Sequence, residues 1–489
     1  MGCCSKVAAL AIIFGTWGCA AQSTASNNSS DSSAGSSSAV SEPTLTPSSS
    51  SSGQDVLPVS SAVAESTSSS STPSSSSSSS GVAPQQSPAW LASVTPLPNN
   101  VQAYPADGSN VPTGPLSSGV SVNTQAYPAP WTSPPIDSPD VQAVIKAIDW
   151  SQVPQIPVRK AGSDGSVSVQ GYDATTDPDC WWTATGCTQP KVSGIPPDVR
   201  SCPKAGDWGL TYDDGPLTAE GGGQYAEPHL YDFLVQQKQK AGLFYIGSNV
   251  ITAPAAAQRA LADGHTLCLH TWSHPSMTSQ KNEQVVAELY WNLRAIKEVT
   301  GVTPRCWRPP YGDVDDRVRA IAWQMGLSTV LWDMDTFDWS MTADQSTQQK
   351  VDDSFTNWIA ARKNGSDNAS GHIVLQHELN SYTVSKAEKW LPEIKQVFNV
   401  VPWNECINVA QPYWEQNFVY PTDANPNPQV SQASNGTVPK APASAGAETN
   451  NNDSNNANSA ASALLASGQT AAAKVISVAT VIAVSLIYI

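Results

Sequence analysis

From residue 202 onward the chain alternates short apolar runs with longer stretches in which apolar residues return every third or fourth position. The runs at 208–212, 243–246, 266–269, 306–307, 328–332 and 373–376 are too short for helices and read as buried strands. The stretches at 228–239, 255–263, 283–300, 315–325 and 387–398 predict helices. Their ends carry matching punctuation: Pro228 opens the first, and Gly264, Gly301 and Gly326 stand where a helix closes on a left-handed residue. Such alternation implies a parallel sheet with right-handed crossovers. The expected fold is α/β, a distorted parallel (β/α) barrel of about seven units; an open doubly wound sheet is the alternative.

The rest of the 489 residues reads differently. Residues 23–135 are dominated by Ser, Thr and Pro, with unbroken serine runs at 48–52 and 74–80, and residues 421–470 by Asn, Ala and Ser. Text this poor in apolar side chains cannot offset the entropy of ordering its backbone, so both flanks are expected to be disordered, the first as an O-glycosylated stalk. Lys6 precedes an apolar stretch, 7–17, and then Gly18, Cys19, Ala20 and Ala21, the pattern of a cleaved secretory signal. A myristoylation reading of the opening Gly2-Cys3-Cys4-Ser5-Lys6 fails because Lys6 stands where Ser or Thr is required. The apolar run 475–489 is short for a membrane span, which needs about 20 residues, and follows small residues. It matches a glycosylphosphatidylinositol (GPI) anchor signal, with Asn458, Ser459 and Ser462 as candidate attachment sites. The expected order is signal peptide 1–20, stalk 21–135, an extension 136–200 packing on the barrel, barrel 201–410, linker 411–470 and anchor signal 471–489.

Of nine cysteines, Cys3, Cys4 and Cys19 fall in the signal region. The remaining six suggest three disulfides, with fifteen pairings formally open. Cys202 with Cys406 would bracket the barrel and is favoured. Cys180 with Cys187 would close a local loop, and Cys268 with Cys306 then remains. Sequons at Asn364, Asn368 and Asn435 agree with a secretory route. The protein is therefore expected to be secreted and held at the outer face of the plasma membrane and in the cell wall, meeting the membrane only through its anchor. A net charge of −16 argues against nucleic acid as a partner and is compatible with a neutral or cationic polymer.

The chemistry-bearing residues cluster directly after predicted strands. Asp213-Asp214-Gly215-Pro216 follows the first, and in isolation such a tetrad makes a turn. His270 and His274, two of only six histidines, follow the third strand; an i, i+4 spacing puts both on one face of a helical turn, within reach of one metal ion. Arg308-Pro309-Pro310-Tyr311-Gly312-Asp313 follows Trp307, Asp335 to Trp339 follows the next strand, and His377-Glu378 follows the last. All five clusters fall at C-terminal strand ends, the face on which barrels build active sites.

Taken in this order, the clusters resemble the five motifs of the polysaccharide deacetylase family with NodB homology, and with the stalk and anchor they look most like its fungal chitin deacetylases. Thr211 with Asp213-Asp214 resembles the first motif, 270–274 the second, 308–311 the third, 335–339 the fourth and 373–377 the fifth. The resemblance covers about 202–408. It departs mildly at Tyr212, where Phe is commoner, and at Leu243-Phe244-Tyr245.

The resemblance implies Asp214, His270 and His274 as ligands of one divalent ion, Zn2+ or Co2+, Asp213 as general base and His377 as general acid. It also implies that Arg308 orients Asp213, that Asp338 supports the imidazolium form of His377, and that the Tyr311 backbone N–H meets the oxyanion, with Trp339 and Leu375 lining the acetyl pocket. The substrate implied is chitin or a chito-oligosaccharide, giving chitosan and acetate. Other readings are a related acetyl xylan esterase or peptidoglycan deacetylase, or a non-catalytic cell-wall mannoprotein. Of seventeen tryptophans most are expected to be core, with Trp272 and Trp339 as examples of those that are candidates to stack on sugar rings, and no binding platform is assigned.

Overall fold

The computed structural model describes residues 87–98, 100–101, 103–104, 114–341 and 343–428. The expected signal peptide, the sequon at Asn435 and the anchor candidates Asn458, Ser459 and Ser462 lie outside the described residues.

Eight strands form one parallel sheet: β1 (Asp207–Asp213), β2 (Gly242–Tyr245), β3 (Thr266–Leu269), β4 (Cys306–Trp307), β5 (Ser328–Thr329), β6 (Met334–Asp335), β7 (His372–Leu375) and β8 (Asn399–Pro402). Their order is β5-β4-β3-β2-β1-β7-β6, with β8 added to β1. The first strand is the hub. Its second half pairs with β2, Thr211 opposite Gly242, and its first half with β8, Trp208 opposite Val400. Strand β7 follows it along the other edge, from Trp208 opposite His372 to a bridge between Asp213 and His377. The sheet is the expected barrel, distorted by a seam: its path ends at β5 on one side and β6 on the other. Val199 lies beside that seam, bridged to Val330.

Helices cover the outer face, so β1, β2 and β3 are buried along their whole length, which is why they read as unbroken apolar runs. The longest covered helix, Asn282–Thr300, ends at Gly301 with φ 83. Element bounds move by a few residues elsewhere. The strand expected at 328–332 shortens to two residues because the chain turns into the seam before β6. The last expected helix starts earlier, as Ser381–Ile394, because Asn380 and Thr383 form a capping box, and β8 takes up 399–402. A helix at Gln345–Asn364 was not expected; it buries only Val351, Phe355 and Ile359, a four-residue repeat in otherwise polar text.

The stalk expected up to residue 135 gives way to packed structure by Ser87. Leu91 is fully buried, and Lys297 Nζ donates to Ser87 Oγ (2.7 Å) and the Leu91 carbonyl (2.9 Å). Tyr127 Oη donates to Glu298 at 2.7 Å, and its ring lies parallel to that of Trp272. A few well-spaced apolar anchors on one helix suffice, and they leave no periodic trace in Ser/Pro-rich text. Likewise the first part of the expected linker is packed, with Tyr413, Phe418, Tyr420 and Thr422 buried.

The described residues between 87 and 135 thus form a strap over the barrel, and the 136–200 segment that follows is clasped by one carboxylate. Asp313 Oδ1 accepts from Trp181 Nε1 (2.9 Å) and Thr183 Oγ1 (2.8 Å), and Oδ2 from the Thr278 N–H and Oγ1 (2.8 and 2.7 Å). The disulfides are Cys180–Cys187, Cys202–Cys406 and Cys268–Cys306. The second closes the barrel's start on its end across 204 positions, a loop long enough for the cross-link to contribute on the order of 4–5 kcal/mol by restricting the unfolded chain. Asn364 and Asn368 are exposed.

Candidate active site

The parallel registers bring the ends of β1, β3, β4 and β7 to one mouth. Asp213 closes β1, its N–H donating to the Gln376 carbonyl (2.9 Å) and its own carbonyl accepting from the Glu378 N–H (3.0 Å). That exchange fixes His377 beside it. Asp214, one residue on, turns left-handed at φ 77 and donates its N–H to the Phe244 carbonyl. Asn249 Nδ2 holds the Asp214 carbonyl at 2.7 Å.

The two histidines do not share a helical turn, as their spacing suggested. They lie on an irregular loop after β3 in which Thr271 (φ 65) and His274 (φ 61) are both left-handed. Three buried groups hold this loop. Glu288 accepts from the Trp272 N–H (3.0 Å), the Ser273 N–H (2.9 Å) and Ser273 Oγ (2.6 Å). Asn292 Nδ2 donates to the Tyr245 and Thr271 carbonyls. Thr271 Oγ1 accepts the His274 N–H. Sequence reasoning missed Glu288 and Asn292, which look like ordinary positions of a long helix; only their polarity on its buried face marks them.

The loop brings Nε2 of His270 and Nε2 of His274 each to 3.4 Å from Asp214 Oδ1. His270 Nδ1 lies 2.8 Å from the Arg308 carbonyl, which fixes Nδ1–H as donor and turns the Nε2 lone pair inward. Burial, with His274 alongside, holds the His270 pKa well below its usual value; burial also lowers that of His274. Asp214 Oδ1 is buried with no hydrogen-bond partner. Two imidazole nitrogens and one carboxylate oxygen thus converge. For a tetrahedral ion with bonds of about 2.0–2.2 Å, adjacent ligand atoms stand about 3.3–3.6 Å apart, so the donor set fits such an ion. A second grouping, Asp177 with Cys180 and Cys187, does not, because both sulfurs are committed to a disulfide.

Asp213 flanks this cluster with its two oxygens in different roles. Oδ1 accepts from Arg308 Nη1 at 2.6 Å, while Oδ2 lies 3.8 Å from His270 Nε2. Burial raises its pKa to about 6, with Arg308 and His377 opposing and Asp214 adding. Arg308 is itself immobilised: it donates to Thr211 Oγ1 and to the Val330 and Leu331 carbonyls at the seam, and its guanidinium lies 4.0 Å from the Phe244 ring centre.

On the other side, Asp338 takes both the His377 N–H (2.9 Å) and its Nδ1 (2.6 Å). Burial alone would lower the His377 pKa, but Asp338, with Asp214 and Asp213, raises it to about 10.

Tyr311 has φ 59 and its ring meets that of His274 edge-on at 4.8 Å. Among the described residues its N–H has no acceptor. Trp339 is half-exposed on the turn that carries Asp338, and Leu375 is buried two residues before His377. Trp272, a candidate to stack on sugar, is instead wholly buried. Among the described residues ten non-glycine residues have a positive φ, and five of them (Asp214, Thr271, His274, Tyr311 and Phe337) lie at this mouth.

Residues 200–330 match the polysaccharide deacetylase family. Over 309 residues the chain is 46% identical to the chitin deacetylase of Amylomyces rouxii, covering 62% of this chain and 70% of that protein. It is 40% identical over 321 residues to chitin deacetylase 2 of Cryptococcus neoformans var. grubii serotype A, covering 64% and 69%. Among solved structures it aligns with the chitin deacetylase of the fungal pathogen Colletotrichum lindemuthianum at 26% identity, over 43% of this chain and 90% of that one, with a TM-score of 0.38. With relatives this similar matched over more than two thirds of their length, the chain belongs to the polysaccharide deacetylase family.

Proposed function

We propose that this protein removes the N-acetyl groups of N-acetylglucosamine units in chitin or chito-oligosaccharides, releasing acetate and leaving glucosamine units. The observation that carries this reading is the placing of one carboxylate, Asp213, between a converging Asp214–His270–His274 cluster and a cationic His377. The fungal relatives named as chitin deacetylases support the choice of substrate.

Asp214, His270 and His274 would hold one divalent ion, Zn2+ or Co2+, whose Lewis acidity favours ionisation of a water and polarises a carbonyl oxygen. The protein's own groups carry the protons. Asp213 takes one through Oδ2, the oxygen that Arg308 leaves free. A pKa near 6 makes it a far better acceptor than an ordinary carboxylate while leaving it ionised at neutral pH. The oxyanion formed at the acetamide carbon is met by the Tyr311 N–H. When the C–N bond breaks, the nitrogen needs a proton, because an amine anion is too poor a leaving group; His377 supplies it from the ring edge that Asp338 leaves open. Acetate departs and the sugar keeps a free amine. Leu375 and Trp339 shape the side of the mouth that receives the acetyl group.

Three disulfides support action outside the cytoplasm. Tethering at the cell surface through a lipid anchor is part of the same proposal, tested by release with a phosphatidylinositol-specific phospholipase. The catalytic test is acetate release from chito-oligosaccharides against acetylated xylan, with metal content measured in parallel. Asp213→Asn should keep the metal and lose the activity; His270→Ala should lose both. Faster release from xylan, or an active protein without metal, would overturn the reading.

A further inference from the structure

Trp131 lies in the strap that crosses the barrel before the 136–200 segment. It is the third residue of a turn in which the Thr132 N–H closes on the Ala129 carbonyl (3.3 Å), which sets its left-handed φ of 60, and its side chain is 52% exposed. Its place is nevertheless fixed. The Trp131 N–H donates to Ser248 Oγ (2.8 Å), which donates onward to the Trp272 carbonyl (2.6 Å). Ser248 and Trp272 are each the third residue beyond a strand, β2 and β3, and so stand on the mouth side of the barrel. Asn249, next to Ser248, is the residue that holds the Asp214 carbonyl. A bonded path of two side chains therefore links Trp131 to the proposed metal ligand.

The rest of the rim is already aromatic. Tyr311, Phe337, Trp339 and Tyr382 are exposed on the segments that follow β4, β6 and β7. Among the described residues the segments that follow β2 and β3 carry no exposed aromatic side chain, Trp272 being buried. The strap supplies the missing one. A pyranose ring presents a face of C–H groups, and an indole stacks on it with little loss of side-chain freedom. We infer that Trp131 forms a subsite for a sugar unit neighbouring the one that is deacetylated, so that a polymer lying across the mouth meets an aromatic residue on both sides.

This inference rests on the deacetylase reading. The test compares wild type, Trp131→Ala and Trp131→Phe in kcat/KM for acetate release from N-acetylglucosamine oligomers of two to six units. The wild type should gain with length; Trp131→Ala should lose about tenfold of that gain, chiefly through KM, and Trp131→Phe should recover most of it. An unchanged length dependence in Trp131→Ala, or an equal loss at every length with a lowered melting temperature, would overturn the subsite alone. Failure of the wild type to release acetate from any oligomer would remove the deacetylase reading and the subsite with it.

Discussion

Asp338 grips His377 twice, through the backbone N–H and through Nδ1, and so sets both where the imidazole points and how firmly it keeps its proton. In Asp338→Asn the ring loses the anion that does most to raise its pKa. A proton donor must be protonated to act, so the alkaline limb of the pH–rate profile should move to lower pH, with kcat at pH 8 down about 10²-fold. The measurement is a full pH profile; a uniform drop with no shift would refute this role.

Arg308 and Asp213 form an ion pair with both side chains buried. In Arg308→Met the Asp213 carboxyl loses the charge that opposes its raised pKa, so it should stay protonated to higher pH. The acid limb should move upward and kcat at pH 7 fall about 10²–10³-fold. An uncompensated buried charge also destabilises, here by about 3–5 kcal/mol in urea unfolding.

Glu288 holds the histidine loop through three hydrogen bonds without facing the mouth. Removing such a support should weaken metal affinity about 10–100-fold in Glu288→Ala, read by competition with a chelator. Glu288→Gln keeps an acceptor and should recover part of the loss. Equal affinities in all three proteins would show that the loop stands without it.

His372 sits between Asp333 and Asp367, 2.9 Å from each. Burial opposes its charge, but the two carboxylates win and raise its pKa above 6.5. A raised folded pKa stabilises fully below the unfolded value near 6.5, and the contribution is lost as pH rises through the folded one. Wild type should therefore melt about 2–4 °C above His372→Gln at pH 6, and the gap should close in alkali. A gap that persists at pH 9 would mean that packing, not charge, is at work.

The barrel and the residues clustered at its mouth were legible in the sequence because parallel strands buried on both faces leave unbroken apolar runs, and polar residues just past them stand out. Asp214, His270 and His274 meet as expected, although the histidines do so on a strained loop; sequence spacing brought them near but did not reveal the left-handed turns at Thr271 and His274. What stayed hidden were contacts between distant segments. Glu288 and Asn292 do their work from a helix whose pattern shows only its apolar face. Leu91 and Tyr127 anchor a strap with a single side chain each, and one residue makes no period. The helix Gln345–Asn364 escaped for a related reason, since three buried residues in twenty barely tilt its polarity.

The packed tail bears on how the molecule would face its surroundings. Tyr413 Oη caps the Leu267 N–H, Tyr420 Oη donates to the His265 carbonyl, and Lys204 pairs with Asp423, all where strands begin rather than where they end. Residues 411–423 therefore pack on the pole opposite the mouth. The mouth is thereby left clear, so these tail residues do not stand between an approaching polymer and Asp213.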